Sequence, residues 1–278
     1  MPSRNDIAGA QSLHRAMSVL RLVAKQNKNG IRFVDISEKL DLTRPTIHRM
    51  LKSLQTEGLI EQDRETLLYH LGTEAFVLGQ IANERFGIGQ AGRHSLSRLV
   101  QESGDTALLT VRRNFESMIL LREEGSFQIR THTSQPGDRN PLGIGAGSLA
   151  ILATLSDEEI EVVLHSNKAE IARRYPMFTS KFIYKSVAET RERGYSLNPG
   201  WIFPGSWAIG IPILNRHGGC EGALALAGIE SRIGPPRSKQ IVAMLLAEAS
   251  NLAESIGSRS YLNDSARSVK RTVARRSS

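Results

Sequence analysis

Over the first seventy residues, apolar positions recur at helical spacing and then switch to an alternating pattern. Leu13, Ala16, Met17, Leu20 and Val23 follow the i, i+3, i+4, i+7 rule within 11–27, which predicts an amphipathic helix. Ser12 is its expected N-cap, and Asn29-Gly30 follows its end. Residues 33–40 predict a short second helix with Ile36 and Leu40 facing inward, closed by a tight turn at Asp41-Leu42. Thr43 is the expected N-cap of a third helix, and Pro45 sits in its first turn, where a missing N–H costs nothing. That helix runs to about Glu57 and stops at Gly58. Its apolar face is Ile47, Met50, Leu51 and Leu54, and its opposite face is Arg44, His48, Arg49 and Lys52. Leu59–Glu61 and Leu67–Leu71 then predict two strands joined by the polar turn Gln62–Thr66. Three helices and a hairpin in this order predict a winged helix-turn-helix, with the third helix as the recognition helix.

Farther on, residues 73–86 predict a helix carrying Phe76, Val77, Ile81 and Ala82, broken at Gly87-Ile88-Gly89, with residues 90–103 helical again. The pattern then becomes strand-like over 106–113, 117–123 and 127–132, with a loop over 135–141. Residues 143–155 are small and apolar enough for a buried helix, and 157–164 and 180–193 predict amphipathic helices. Apolar strands over 208–214 and 222–229 flank the turn 215–219, and a long helix is expected over 235–256. Strands, helices, strands and a closing helix predict an α+β sheet domain. The expected organisation is a winged helix-turn-helix over 1–72, a linker helix over 73–90, a second domain over 91–257 and a basic, unstructured tail over 258–278.

Charge sharpens this division. Of the net +8, residues 1–72 contribute +3 and residues 257–278 contribute +5, so residues 73–256 are neutral. Basic ends around a neutral middle fit a nucleic-acid-binding segment attached to a module with another task. A single cysteine, Cys220, precludes an intrachain disulfide and suggests a reducing, cytoplasmic setting, and no signal-like or membrane-spanning apolar run is visible.

The order of elements and several short patterns together resemble the IclR family of bacterial transcriptional regulators over nearly the whole chain. Ser12-Leu13-x-Arg15-Ala16 lies in the first helix, and residues 43–51 and Leu54-x-x-x-Gly58-Leu59-Ile60 surround the recognition helix. Residues 141–150 (PLGIGAGSLA), 155–159 (LSDEE), 193–196 (RGYS) and the strand ending Ala227-Gly228 carry the resemblance through the second half. The resemblance implies a DNA-binding domain, a linker helix and an effector-binding domain of GAF or PAS type. It also implies a nucleoid-associated regulator working on neighbouring catabolic operons, often as a dimer of dimers.

On the DNA side, the recognition helix offers Arg44, Pro45, Thr46, His48, Arg49 and Lys52, and the wing tip offers Arg64. Arg44 and Thr46, at the N-terminal end that enters the major groove deepest, are the expected base contacts. Lys52 and Arg64 are expected on phosphates. The basic residues Arg267, Lys270, Arg271, Arg275 and Arg276 of the tail can add non-specific affinity. A two-fold operator calls for a homodimer, assembled in part through the 73–86 helix, whose apolar face has no evident partner.

On the effector side, Gly143, Gly145 and Gly147 lack the preceding strand and the spacing of a dinucleotide-binding turn. They fit instead a helix start with free amide N–H groups able to receive a carboxylate. The resemblance places a small-organic-acid pocket at Gly145, Ala146, Gly147, Asn198, Ala208, Ala225 and Ala227. Where some family members present Cys or Ser to the acid, this chain has Ala208, Ala225 and Ala227. An effector larger or less polar than a two- or three-carbon acid is therefore expected. Trp201, Phe203 and Trp207 are candidates for an aromatic wall, with core packing as the plain alternative, and Arg130, His132 and Arg139 are candidate cations.

No protease, esterase or paired-cysteine motif appears, and the seven histidines lack metal-ligand spacing. Neither enzymatic activity nor a cofactor is expected. The competing class is a GAF-type small-molecule sensor or enzyme whose winged helix binds protein rather than DNA.

Overall fold

The structure, a computed structural model, describes residues 10–85, 87–129, 134–235 and 237–274, with side chains described except at 83–85, 87 and 257–274. The chain divides into two compact units, Met1–Phe86 and Gly87–Ser278.

In the first unit, α1 (Gln11–Lys25), α2 (Phe33–Lys39) and α3 (Arg44–Thr56) precede a hairpin of β1 (Ile60–Gln62) and β2 (Tyr69–Leu71). The strands pair antiparallel, Ile60 opposite Leu71, and Ile31 adds a single bridge to Tyr69. The core is Val19, Val23, Ile31, Ile36, Ile47, Leu51, Leu54, Ile60 and Tyr69. Two local expectations fail. Helix α1 starts one residue before Ser12, with Ala10 at the cap position and no side-chain cap, and Leu13 faces solvent. Thr43 does occupy the N-cap of α3, but its hydroxyl bonds the Thr46 hydroxyl at 2.9 Å and leaves the backbone N–H groups uncapped. Helix α4 (Thr73–Arg85) ends the described part of this unit.

The second unit is built on one six-stranded antiparallel sheet, order β5-β4-β3-β8-β7-β6. Its strands are β3 (Thr106–Arg113), β4 (Glu116–Glu123), β5 (Arg139–Pro141), β6 (Ser196–Pro199), β7 (Ser206–Leu214) and β8 (Cys220–Ile229). One face is covered by α5 (Gly87–Ser103) and α10 (Ser238–Ala274), through Leu96, Leu99, Leu109, Ile209, Leu224, Leu226, Ile241 and Leu245. On the other lie α6 (Ala146–Ala153), α7 (Asp157–Arg174) and α8 (Ser180–Arg193), packed through Leu149, Leu152, Ile160, Val163, Ile183 and Val187. A short helix, α9 (Glu230–Ile233), joins β8 to α10. Asp105, almost wholly buried before β3, accepts from Arg232 at 3.0 Å and Arg237 at 3.1 Å, tying the start of β3 to this corner.

Several boundaries depart from the sequence pattern. The glycines at 87 and 89 lie in the first turn of α5 rather than in a break before it. No strand forms over 127–129, and 130–133 lie outside the described residues, so Arg130 and His132 cannot be placed. The edge strand is instead β5, in the segment expected to be a loop, paired with Glu116–Met118 of β4. Strand β6, unmarked by the apolar pattern, pairs with β7. The backbone of α10 continues helically to Ala274, where an unstructured tail was expected from 258; after Gly257 the segment has neither glycine nor proline to stop a helix.

Candidate nucleic-acid interface and effector site

Helix α3 separates two tasks on its two faces. Ile47, Leu51 and Leu54 are at most 5% exposed and fix the helix to α1 and β1. Burying each contributes roughly 1.5–3 kcal/mol relative to exposure. The opposite face leaves Arg44, Pro45, His48, Arg49 and Lys52 exposed and Thr46 half-buried. His48 also rests edge-on against Phe33 of α2, ring centroids 6.5 Å apart. Thus every α3 side chain expected to touch DNA lies on or beside a solvent-facing strip that the buried face holds in place.

The wing is shaped by Asp63. Its carboxylate accepts from Thr66 N at 2.7 Å, Thr66 Oγ1 at 2.8 Å and Glu65 N at 3.0 Å. Donation from Thr66, first by its backbone and then by its hydroxyl, holds the Asp63 carboxyl below the usual carboxylate range. Leu67 adopts the left-handed region, φ +58°, to close the turn. Exposed Arg64 is carried at the tip of this braced loop.

In the second unit the strand-borne candidates fall on one sheet face, with one exception. Pairing aligns Thr106, Ala227, Ala208 and Asn198 in one row, and Leu108, Ala225, Gly210 and Ser196 in the next. Leu108, Ala225, Ala227, Ile119 and Ala208 form a small apolar cluster separate from both main cores. Helix α6 stands beside it. A Cβ on Gly210 would lie 2.8 Å from the Ala146 carbonyl carbon and oxygen, so the missing side chain admits the helix backbone. Gly147 lacks space for the same reason, because its Cβ would meet Thr110 Oγ1 at 2.6 Å. The small residues of 145–147 therefore let α6 approach its own sheet. At Gly145 the requirement is conformational, φ +93° at the N-cap, where no side chain caps the helix.

Gly145, Asn198 and Trp201 meet around a cavity lined also by Gly143, Leu149, Phe178, Ile183, Ser186 and Leu197. Its volume of about 10 Å³ matches a single water rather than an organic acid. Trp201 stacks edge-on with Phe182, centroids 4.8 Å apart, and its backbone N–H donates to Asn198 Oδ1 at 3.1 Å. Trp207 corrects an expectation. It alternates with Ala208 along β7, faces the α5–α10 side and packs within 3.4 Å of the Cβ position of Gly234. Phe203 is exposed in the loop before β7. Arg139 pairs with Glu116 at 3.3 Å, which offsets its charge. Cys220 is half-buried at the start of β8, and burial raises its thiol pKa.

One group escaped the sequence reading. Arg122 pairs with Leu108 across β3–β4, and its side chain is only 7% exposed. Its Nη1 meets Glu124, while its Nη2 is buried with no hydrogen-bond partner. An arginine within a predicted strand was the available signal, but which face it joins depends on a register shift at Leu109/Thr110 that the pattern does not show.

A winged helix-turn-helix joined in one chain to an α+β unit with a curled sheet of GAF or PAS type defines a one-chain DNA-binding regulator. Residues 12–64 match the IclR helix-turn-helix domain, and residues 81–254 match the bacterial transcriptional regulator IclR C-terminal domain. The chain belongs to the IclR family, whose members are transcriptional regulators rather than enzymes. It is 26% identical to the HTH-type transcriptional regulator BhcR of Paracoccus denitrificans, over 84% of this chain and 82% of that one. It is 24% identical to the transcriptional repressor IclR of Escherichia coli, over 89% and 90%. Among solved structures, an IclR regulator from Alicyclobacillus acidocaldarius shares the fold with a TM-score of 0.72 at 22% identity, over 88% of this chain and 98% of that one. An IclR homologue from Microbacterium hydrocarbonoxydans, complexed with 4-hydroxybenzoate, has a TM-score of 0.71 at 20% identity, over 89% and 100%. Among the described residues no helix is long and apolar enough to cross a membrane.

Proposed function

We propose that the protein is a cytoplasmic, nucleoid-associated, sequence-specific regulator of a catabolic operon, controlled by a small organic acid that includes an aromatic or similarly apolar body. The observation that carries the DNA reading is α3 itself, with three buried anchors on one face and an exposed cationic strip on the other. Arg44 and Thr46 read base edges, Pro45 sets the helix entry, His48 and Arg49 lie along the groove, and Lys52 and Arg64 hold phosphates. The apolar sheet floor of Leu108, Ala208, Ala225 and Ala227 supports an effector with an apolar body, as does the 4-hydroxybenzoate bound by the Microbacterium homologue. Gly145, Ala146 and Asn198 border that floor, with Trp201 as a movable wall.

The operator-bound form is a homodimer, which two such units extend to a dimer of dimers. Helix α4 supports this: Phe76, Val77, Leu78 and Ile81 are 40–67% exposed within two turns, a run of apolar surface unusual on a soluble monomer. Replacing Ile81 with Asp should shift the sedimentation equilibrium toward monomer and weaken binding to a two-half-site DNA. An unchanged dimer would remove α4 from the interface.

The direct test is fluorescence anisotropy with the intergenic DNA next to the protein's own gene, titrated at several salt concentrations. Specific binding that weakens steeply with salt, and that the effector alters, is expected. Coupling is reciprocal, so DNA changes effector affinity by the same factor. No binding at low salt to this DNA or to a random duplex would favour a sensor whose winged helix takes a protein partner.

A further inference from the structure

We propose that Arg122 reads the carboxylate of the effector, holding it above the floor of Leu108, Ala208, Ala225 and Ala227; this rests on the reading of the second unit as an organic-acid sensor. The register supplies the first reason. Ile119 pairs with Thr110 and Arg122 with Leu108, so the extra residue between them brings two side chains three apart onto one face. That face is the alanine-lined one, since Leu108 and Ile119 both belong to its small cluster.

Burial supplies the second reason. Among the described residues, β5 pairs with β4 only over Glu116–Met118, which leaves β4 as the sheet's edge at Arg122. A side chain turned past an edge would be solvated, yet this one is 7% exposed. Its guanidinium is instead covered by protein, with Nη1 on Glu124.

The third reason is the unfilled donor. A guanidinium carries five N–H donors in a fixed fork suited to carboxylates. Glu124 engages Nη1, and Nη2 remains buried without an acceptor. Buried donors are nearly always satisfied. A carboxylate seated at this corner supplies the missing acceptor, while the apolar body of the acid rests on the alanines. Arg122 and Gly210, over which α6 begins, lie in one row of the sheet, three strand spacings or about 14 Å apart.

The test is isothermal titration of the full chain with acetate, benzoate and 3-phenylpropionate, alongside the neutral benzamide and 3-phenylpropionamide. At least one acid should bind, its amide should bind about 30-fold more weakly or worse, and Arg122→Met should lose a comparable factor. Glu124→Gln frees the guanidinium from its resident carboxylate and should tighten acid binding, the opposite of what a merely structural ion pair gives. An Arg122→Met protein that binds the acid as tightly as wild type overturns the role of Arg122 and leaves the acid-sensing reading intact. Equal binding of acid and amide by wild type also overturns it. No binding of any acid at millimolar concentration overturns both readings. If Arg122→Met does not fold by circular dichroism, Glu124→Gln decides: unchanged or weaker acid binding overturns the proposal.

Discussion

The exposed cationic strip of α3 and the alanine floor of the sheet, the two surfaces proposed for recognition, are built in opposite ways. The strip lies within thirteen consecutive residues of one helix, exposed and charged, and its shape is held from behind by Ile47, Leu51 and Leu54. The floor is collected from β3, β4, β7 and β8, is buried and apolar, and has one unsatisfied charged group at its margin. In the first, recognition and stability reside in different side chains of the same segment. In the second they overlap, because Gly147 and Gly210 make room for α6 against the sheet and thereby set where the floor ends.

The sharpest way to break this contrast is to remove the support behind the strip. Leu51→Ala should destabilise the first unit by about 2–5 kcal/mol. Urea unfolding should show its transition moving to lower denaturant with specific DNA binding lost, although no proposed contact residue was touched. Stability unaffected by this change would mean α3 is not held through its apolar face.

Next in size, Gly210→Ala should destabilise the second unit by about 1–3 kcal/mol, since the new methyl group meets the backbone of Ala146 at 2.8 Å. Effector binding should weaken together with stability, whereas substitutions on the exposed strip should separate the two. Thermal unfolding with and without effector reads both quantities.

Within the strip, Arg44→Ala should cost about 1–3 kcal/mol at one base pair and relax preference there, measured by competition among single-base operator variants. Lys52→Ala should weaken all sequences alike and reduce the salt slope by about one. If the two variants behave identically, base reading and phosphate contact are not divided along the helix as proposed.

The smallest effect is expected at the wing. The Asp63 carboxyl is held below its ordinary range by donation from Thr66, so its bracing is present above the ordinary carboxylate range and is lost as pH falls through the lowered value. The protection of the Thr66 amide, its exchange relative to the intrinsic rate at each pH, should therefore fall on acidification below the usual carboxylate range. In Asp63→Asn it should be low at neutral pH already and lack that acid-induced step.

How much of this was legible depended on the distance over which the deciding contacts act. Helix α3 was readable to within a residue, because its buried and exposed positions repeat every turn and Pro45 and Gly58 mark its ends. Trp207 was misassigned because an aromatic residue beside a binding strand suggests a wall, while the pleat sends it to the opposite face from Ala208. Strands β5 and β6 were missed because both are edge strands of three and four residues, too short for an alternating pattern to emerge.

The chain by itself determined the two-part organisation, the cationic strip and the apolar stripe that supports it. Each of these is a local periodicity or a local charge, and a helix converts sequence spacing directly into a face. Tertiary structure alone decided that Gly147 and Gly210 serve helix–sheet approach, that Trp207 packs on the α5–α10 side, and that Arg122 falls opposite Leu108. Those outcomes depend on strand register and a single bulged residue, and because strand side chains alternate with period two, one extra residue exchanges the faces of everything beyond it.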